Sequence, residues 1–199
     1  MRLVGIGLLV TVLTGCSVER YGDATAYRPD SPDIIEVQVP ENALFISQQY
    51  FRGPNEDNFQ HNGMDVWGTP KTPILAAADG VVVESRHEPL YGHRVRINHG
   101  ADANGQHFDT QYFHLTRRSV EVGQKVKRGD VLGTMGSTGL LGSAVHLHFE
   151  VLVGREGRRM RPRDPHYFWL AGKGIVTCFE DGARYPIGPP RFTYPVKCR

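Results

Sequence analysis

From residue 73 the chain is written as short β-prone stretches cut off by glycine. PILAAADG, VVVESR, HRVRINHG, DTQYFHL, VEVGQKVKRGDVLGTMG and AVHLHFEV follow one another to residue 151. Stretches this short cannot carry the continuous apolar stripe of a packed helix, and no long amphipathic helix can be drawn elsewhere. Strands punctuated by turns at this spacing predict an all-β or β-dominated fold with sandwich- or barrel-like packing. The 23 glycines and 13 prolines supply the turns. IIEVQV and ALFISQQYF add two candidate strands upstream, and VEVGQKVKRGDVLG reads as a hairpin with KRGD as its tight turn. A length of 199 residues suggests one domain plus extensions. The formal charge of +2 is too small to argue for a nucleic-acid partner.

The two ends are expected to differ from the middle. MR followed by LVGIGLLVTVL and LTGC has the layout of a targeting segment, with an apolar run too short to span a bilayer as a stable helix. The small residues before the cysteine resemble a bacterial lipobox. That resemblance implies a signal peptide over 1–15, lipid on Cys16, and a lipidated tether over 16–33, polar and without apolar period. Ser17 in place of an aspartate tilts the expected location from the inner membrane to the outer membrane, facing the periplasm. With Cys16 set aside, Cys178 and Cys198 remain, a pair that in an exported chain predicts a disulfide stapling a C-terminal extension over 171–199.

The chemistry concentrates in three places. In AVHLHFEV, read as a strand of period two, Val145, Leu147, Phe149 and Val151 face one way and His146, His148 and Glu150 the other. In HNGMD, Gly63 and the following WGTP argue against a helix, but His61 and Asp65 also share a face on an extended segment. In TQYFHL, alternation puts Thr110, Tyr112 and His114 on one face. A catalytic zinc takes three protein ligands from His and carboxylate and keeps one position open. His61, Asp65 and one of the pair His146/His148 meet that count. His114 and the other member are left as acid–base groups.

HNGMD, YFHL and HLHFEV, with GTPKTPILAAADGVVV, RINHG, VGQKVKRGDVLGTMGSTG and DPHYF between and after them, resemble the M23 zinc metallopeptidases. These are the lysostaphin/LytM-type enzymes that cut peptidoglycan peptides. The resemblance covers about residues 45 to 170. It implies a single compact antiparallel β-sheet domain over 34–170, with short helices or none. It implies zinc on His61, Asp65 and His148, with His114 and His146 as the catalytic pair. The implied partners are peptidoglycan stem peptides or cross-bridges, met at the cell envelope. There is no HExxH glutamate to act as base, so proton transfer and stabilisation of the tetrahedral intermediate fall to His114 and His146.

Two departures touch the site. LLGSAV precedes HLH where the family has a shorter loop ending in a small residue and proline, and Phe113 stands where alanine is frequent. Non-catalytic relatives that activate amidases or scaffold wall assembly lack metal ligands, whereas all five residues stand here. A zinc peptidase acting on proteins is a third reading, disfavoured by the envelope location. His87, His93, His99, His107 and His166 match no site position and are expected at surfaces or turns. Glu150 is expected to point to solvent, Tyr50, Trp67 and Tyr112 to pack in the core, and GREGRRMRPR to form a solvated hairpin.

Overall fold

A computed structural model describes residues 24–27, 35–51, 60–186 and 191–199. The expected signal peptide and Cys16 lie outside the described residues. The described part is nearly all β. In chain order the strands are β1 (Ala24–Tyr27), β2 (Ile35–Gln38), β3 (Ile46–Gln48), β4 (Met64–Trp67), β5 (Pro73–Leu75), β6 (Gly80–Glu88) and β7 (Gly92–Ala101). There follow β8 (Gln106–Leu115), β9 (Arg117–Arg118), β10 (Lys125–Val126), β11 (Val131–Thr134), β12 (His146–Arg155) and β13 (Arg161–Arg163). Among the described residues a single 3-10 turn, Pro165–Tyr167, is the only helical element, started by Pro165 and by Asp164 accepting the His166 N–H.

The main sheet is antiparallel, in the order β10-β6-β7-β8-β12-β4-β3, with β13 returning along β12. A smaller sheet, β5-β11-β9, lies beside it. Alternation decides what each strand gives the core. Met64 and Val66 of β4, Tyr112 of β8, and Leu147, Phe149 and Val151 of β12 are all buried, and they meet Ile74 and Leu132 of the small sheet. The opposite face of β4 and β12 is left for polar residues. Tyr50 and Tyr112 are core as expected, while Trp67 is exposed and stacks on Phe45.

Three expectations need adjusting. The KRGD turn exists, with Asp130 N–H bonded to the Lys127 carbonyl. Its arms part, however: β10 pairs with β6 and β11 with β5 and β9. The turn is therefore a crossover between sheets and not the tip of a hairpin. Within the segment read as a tether, Ala24–Tyr27 pairs with β2. The C-terminal segment is threaded into the domain: Ile74 bridges Val196, Thr193 N–H bonds the Ala77 carbonyl, and Phe192, Tyr194 and Val196 are fully buried. The Cys178–Cys198 disulfide, with Cα atoms 5.9 Å apart, closes this segment. GREGRRMRPR forms the hairpin between β12 and β13.

Candidate metal centre

β4 and β12 are neighbours, and their register sets His148 opposite Asp65. His61 lies just before β4, where its backbone bridges Phe51. Gly63 lets the chain pass β12, since a Cβ there would meet the Phe149 carbonyl oxygen at 2.2 Å. Three donor atoms converge as a result. His61 Nε2 is 3.1 Å from Asp65 Oδ1, His148 Nδ1 is 2.8 Å from the same oxygen, and the two nitrogens are 3.0 Å apart.

The other ring nitrogens decide the tautomers. His61 Nδ1–H donates to the Gln49 carbonyl at 2.7 Å, and His148 Nε2–H donates to Glu150 Oε1 at 3.2 Å. With those protons committed outward, each ring in its neutral form turns a lone pair toward the carboxylate. Three acceptors facing one another repel unless a positive charge sits among them. Donors about 2.0–2.1 Å from one tetrahedral cation stand about 3.3 Å apart, so the triangle needs to open only slightly to hold one. His61, Asp65 and His148 thus form a group that could bind a metal ion.

The local electrostatics agree. Burial alone would push His148 down, but Asp65 and Glu150 on its two nitrogens outweigh it and raise it to about 9. Burial would raise Asp65, yet in the metal-free protein the protonated His148 and the His61 ring beside it hold it well below the usual carboxylate range. The two shifts have one source, a proton that His148 holds against Asp65 at the place a cation would take.

His146 is the first residue of β12. Its Nδ1–H donates to the Ala144 carbonyl at 2.8 Å, and its Nε2 stands 3.9 Å from Asp65 Oδ1. His114 joins it, the two rings lying 4.7 Å apart. Simple alternation does not bring it there. Thr110 and Tyr112 are buried, and Tyr112 pairs with core residue Phe149, so a regular strand would aim His114 into the core. Instead β8 carries a bulge. His93 pairs with Leu115 and Val95 with Tyr112, so two steps on β7 face three on β8, and His114 takes φ +61°. The extra residue turns the ring to the metal-site face, which corrects the expected shared face with Thr110 and Tyr112. Phe113, opposite His148 in register, packs its ring 5.3 Å from the His148 ring. Burial, then the neighbouring His146 and His148, lower His114 to about 4. It is a neutral imidazole near neutral pH.

These groups line a cleft of about 220 Å³. Gln48, Gln60 and Asn62 border one part of it, Tyr91 and Leu141 another. The LLGSAV loop therefore reaches the rim, held there by Leu141 N–H to the Leu90 carbonyl. Two expectations are overturned nearby. Glu150 does not point to solvent: it is buried, with Oε2 accepting from Gln111 Nε2 at 2.9 Å. His166 is not a surface residue. It is fully buried, accepting from Trp169 Nε1 and donating to Gln49 Oε1, both at 2.8 Å. The even spacing of Glu150 from His148 was the readable sign of the first. Nothing local marked the second.

Comparison with known proteins agrees with this geometry. The sequence pattern described as peptidase family M23 matches residues 59–162, slightly more than half of the chain. Peptidoglycan DD-endopeptidase ShyC of Vibrio cholerae is 41% identical over 120 residues, covering 59% of this chain and 26% of that protein. The chain spans about a quarter of the length of the curated relatives it matches. The catalytic domain of the antimicrobial peptidase lysostaphin from Staphylococcus simulans superposes with a TM-score of 0.51 at 28% identity, over 61% of this chain and 89% of that one. A zinc-containing peptidase from Vibrio cholerae superposes with a TM-score of 0.52 at 29% identity, over 72% of this chain and 46% of that one. With the match running over residues 59–162, which include His61, Asp65, His114, His146 and His148, the chain belongs to peptidase family M23.

Proposed function

We propose that this protein is a zinc-dependent endopeptidase that hydrolyses peptide cross-links of peptidoglycan at the cell envelope. The observation that carries the reading is the convergence of His61 Nε2, Asp65 Oδ1 and His148 Nδ1 beside the adjacent, mutually tilted rings of His114 and His146. In this reading those three atoms hold the zinc. When bound, zinc supplies Lewis-acid polarisation and makes water acidic enough to react near neutral pH.

The chain's own residues do the rest. His114 donates Nδ1–H to the Thr138 carbonyl, which leaves its Nε2 lone pair as a proton acceptor. His146, fixed the same way through Ala144, presents its own Nε2 beside it. In this reading the two share proton transfer, and a ring that has taken a proton on Nε2 becomes a donor that stabilises the tetrahedral oxyanion. The amide side chains of Gln48, Gln60 and Asn62 offer donors and acceptors to the backbone of an extended peptide. The similarity to a peptidoglycan DD-endopeptidase supports wall peptides as the substrate class. The lipobox-like LTGC supports lipid on Cys16 and anchorage at the membrane, with Ser17 favouring the outer one.

The test is a digest of purified peptidoglycan by wild type, His146→Ala and chelator-treated protein, with fragments identified by mass spectrometry. Soluble fragments from the wild type alone are expected. Equal release from all three would overturn the enzyme reading in favour of a non-catalytic envelope factor.

A further inference from the structure

Glu150 is 7% exposed and lies two residues beyond His148 on β12, so strand alternation sets both on one face. Gln111, also 7% exposed, stands directly across the ladder on β8. The carboxylate is tied at both ends. Oε1 accepts from His148 Nε2–H at 3.2 Å, and Oε2 accepts from Gln111 Nε2–H at 2.9 Å. A buried carboxylate is costly unless it is paired, and here its partners are a neutral amide and one imidazole. Neither supplies a positive charge when His148 is the neutral ring that the zinc reading requires.

Resting on the zinc reading, we propose that Glu150, braced by Gln111, is a positioning residue for the metal. It has two effects. It commits the His148 proton to Nε2, which leaves the Nδ1 lone pair facing Asp65 and His61. It also brings the second negative charge that, with Asp65, balances a dication in a buried site. His61 shows the contrast: its outward N–H goes to the neutral Gln49 carbonyl. Negative charge behind the metal site is therefore placed on His148 alone, making it the more basic of the two imidazole ligands. Glu150 borders the cleft with its oxygens turned to His148 and Gln111, and the proposal assigns its action through His148.

The experiment compares wild type, Glu150→Gln and Glu150→Ala. Zinc affinity is read by competition with a chromogenic chelator, and ligand geometry by the visible bands of the cobalt-loaded proteins. Glu150→Gln keeps the volume and, with the Gln111 amide turned over, the hydrogen bonds; only the charge is lost. The expected result is zinc binding weakened about 10-fold in Glu150→Gln and about 100-fold in Glu150→Ala, with shifted cobalt bands in the latter. Wild-type zinc affinity in both variants would overturn the proposal, and so would a loss of turnover with zinc affinity unchanged, which would make Glu150 a proton-transfer group. A lowered melting temperature of the metal-free variants without a change in zinc affinity would mark a purely structural residue and overturn it too. No zinc binding by the wild type would overturn the zinc reading itself.

Discussion

His114 and Thr138 hold each other by two hydrogen bonds: Thr138 N–H donates to the His114 carbonyl at 3.3 Å, and His114 Nδ1–H donates to the Thr138 carbonyl at 2.9 Å. The Thr138 hydroxyl completes the joint. It accepts from His93 N–H at 2.9 Å and donates to the Leu115 carbonyl at 2.7 Å, a backbone donor and acceptor on either side of the bulge. The loop approaches so closely that a Cβ on Gly92 would lie 2.2 Å from Thr138 Oγ1. Thr138→Val keeps the shape and the backbone bonds but strands the His93 and Leu115 groups. A loss of about 2 kcal/mol in denaturant unfolding is expected. A 10- to 100-fold lower kcat is expected with zinc content unchanged, because the His114 ring loses its fixed aim. Unchanged kcat would show that the bulge holds without the hydroxyl.

Leu141 gives the rim an apolar surface. It is 54% exposed, so replacing it costs little stability, whereas substrate that covers it gains apolar burial. Covering such a side chain is worth roughly 1–1.5 kcal/mol, which predicts a KM about 5- to 10-fold higher for Leu141→Asn with kcat held. Leu140, 78% exposed and outside the cleft lining, serves as the control, with Leu140→Asn expected to be neutral. Equal effects at both positions would place the loop's role elsewhere.

His166 should carry a share of the acid sensitivity, beside the buried His114. Burial lowers it to about 3, while in the unfolded chain it titrates at about 6.5. Between those values the unfolded state holds a proton that the folded state refuses. Stability is complete above pH 6.5 and falls as the pH drops from there toward 3. The slope it adds is about 1.4 kcal/mol per pH unit. Denaturant midpoints measured from pH 7 to 5 should fall less steeply for His166→Gln than for wild type. Parallel curves would show that His166 contributes no share of the acid response.

The Cys178–Cys198 bond closes a 20-residue separation around the segment that buries Phe192, Tyr194 and Val196. Loop entropy assigns it about 3 kcal/mol. The double variant Cys178→Ser/Cys198→Ser should therefore melt about 6–12 °C lower by calorimetry. No shift would mean that the three core side chains alone secure the segment.

What could be read in the sequence is what local periodicity controls. The alternation of AVHLHFEV sorts Leu147 and Phe149 from His146 and His148, and it also carries Glu150 inward with them. The Cys178–Cys198 pairing followed from counting. What could not be read depends on long-range partners. The bulge at His114 is set by β7 and by Thr138, the parting of β10 from β11 by two different sheets, and the burial of His166 by Trp169 and Gln49. None of these leaves a period in the neighbouring residues.

The central claim is that five side chains on β4, β8 and β12 and beside them form a hydrolytic zinc site for wall cross-links. The most direct measurement is incubation of a purified, peptide-cross-linked muropeptide dimer with zinc-loaded protein, followed by mass spectrometry. The account predicts two monomers whose summed mass exceeds the dimer by one water, and an intact dimer with His114→Ala. A dimer left intact by fully zinc-loaded wild type would contradict it.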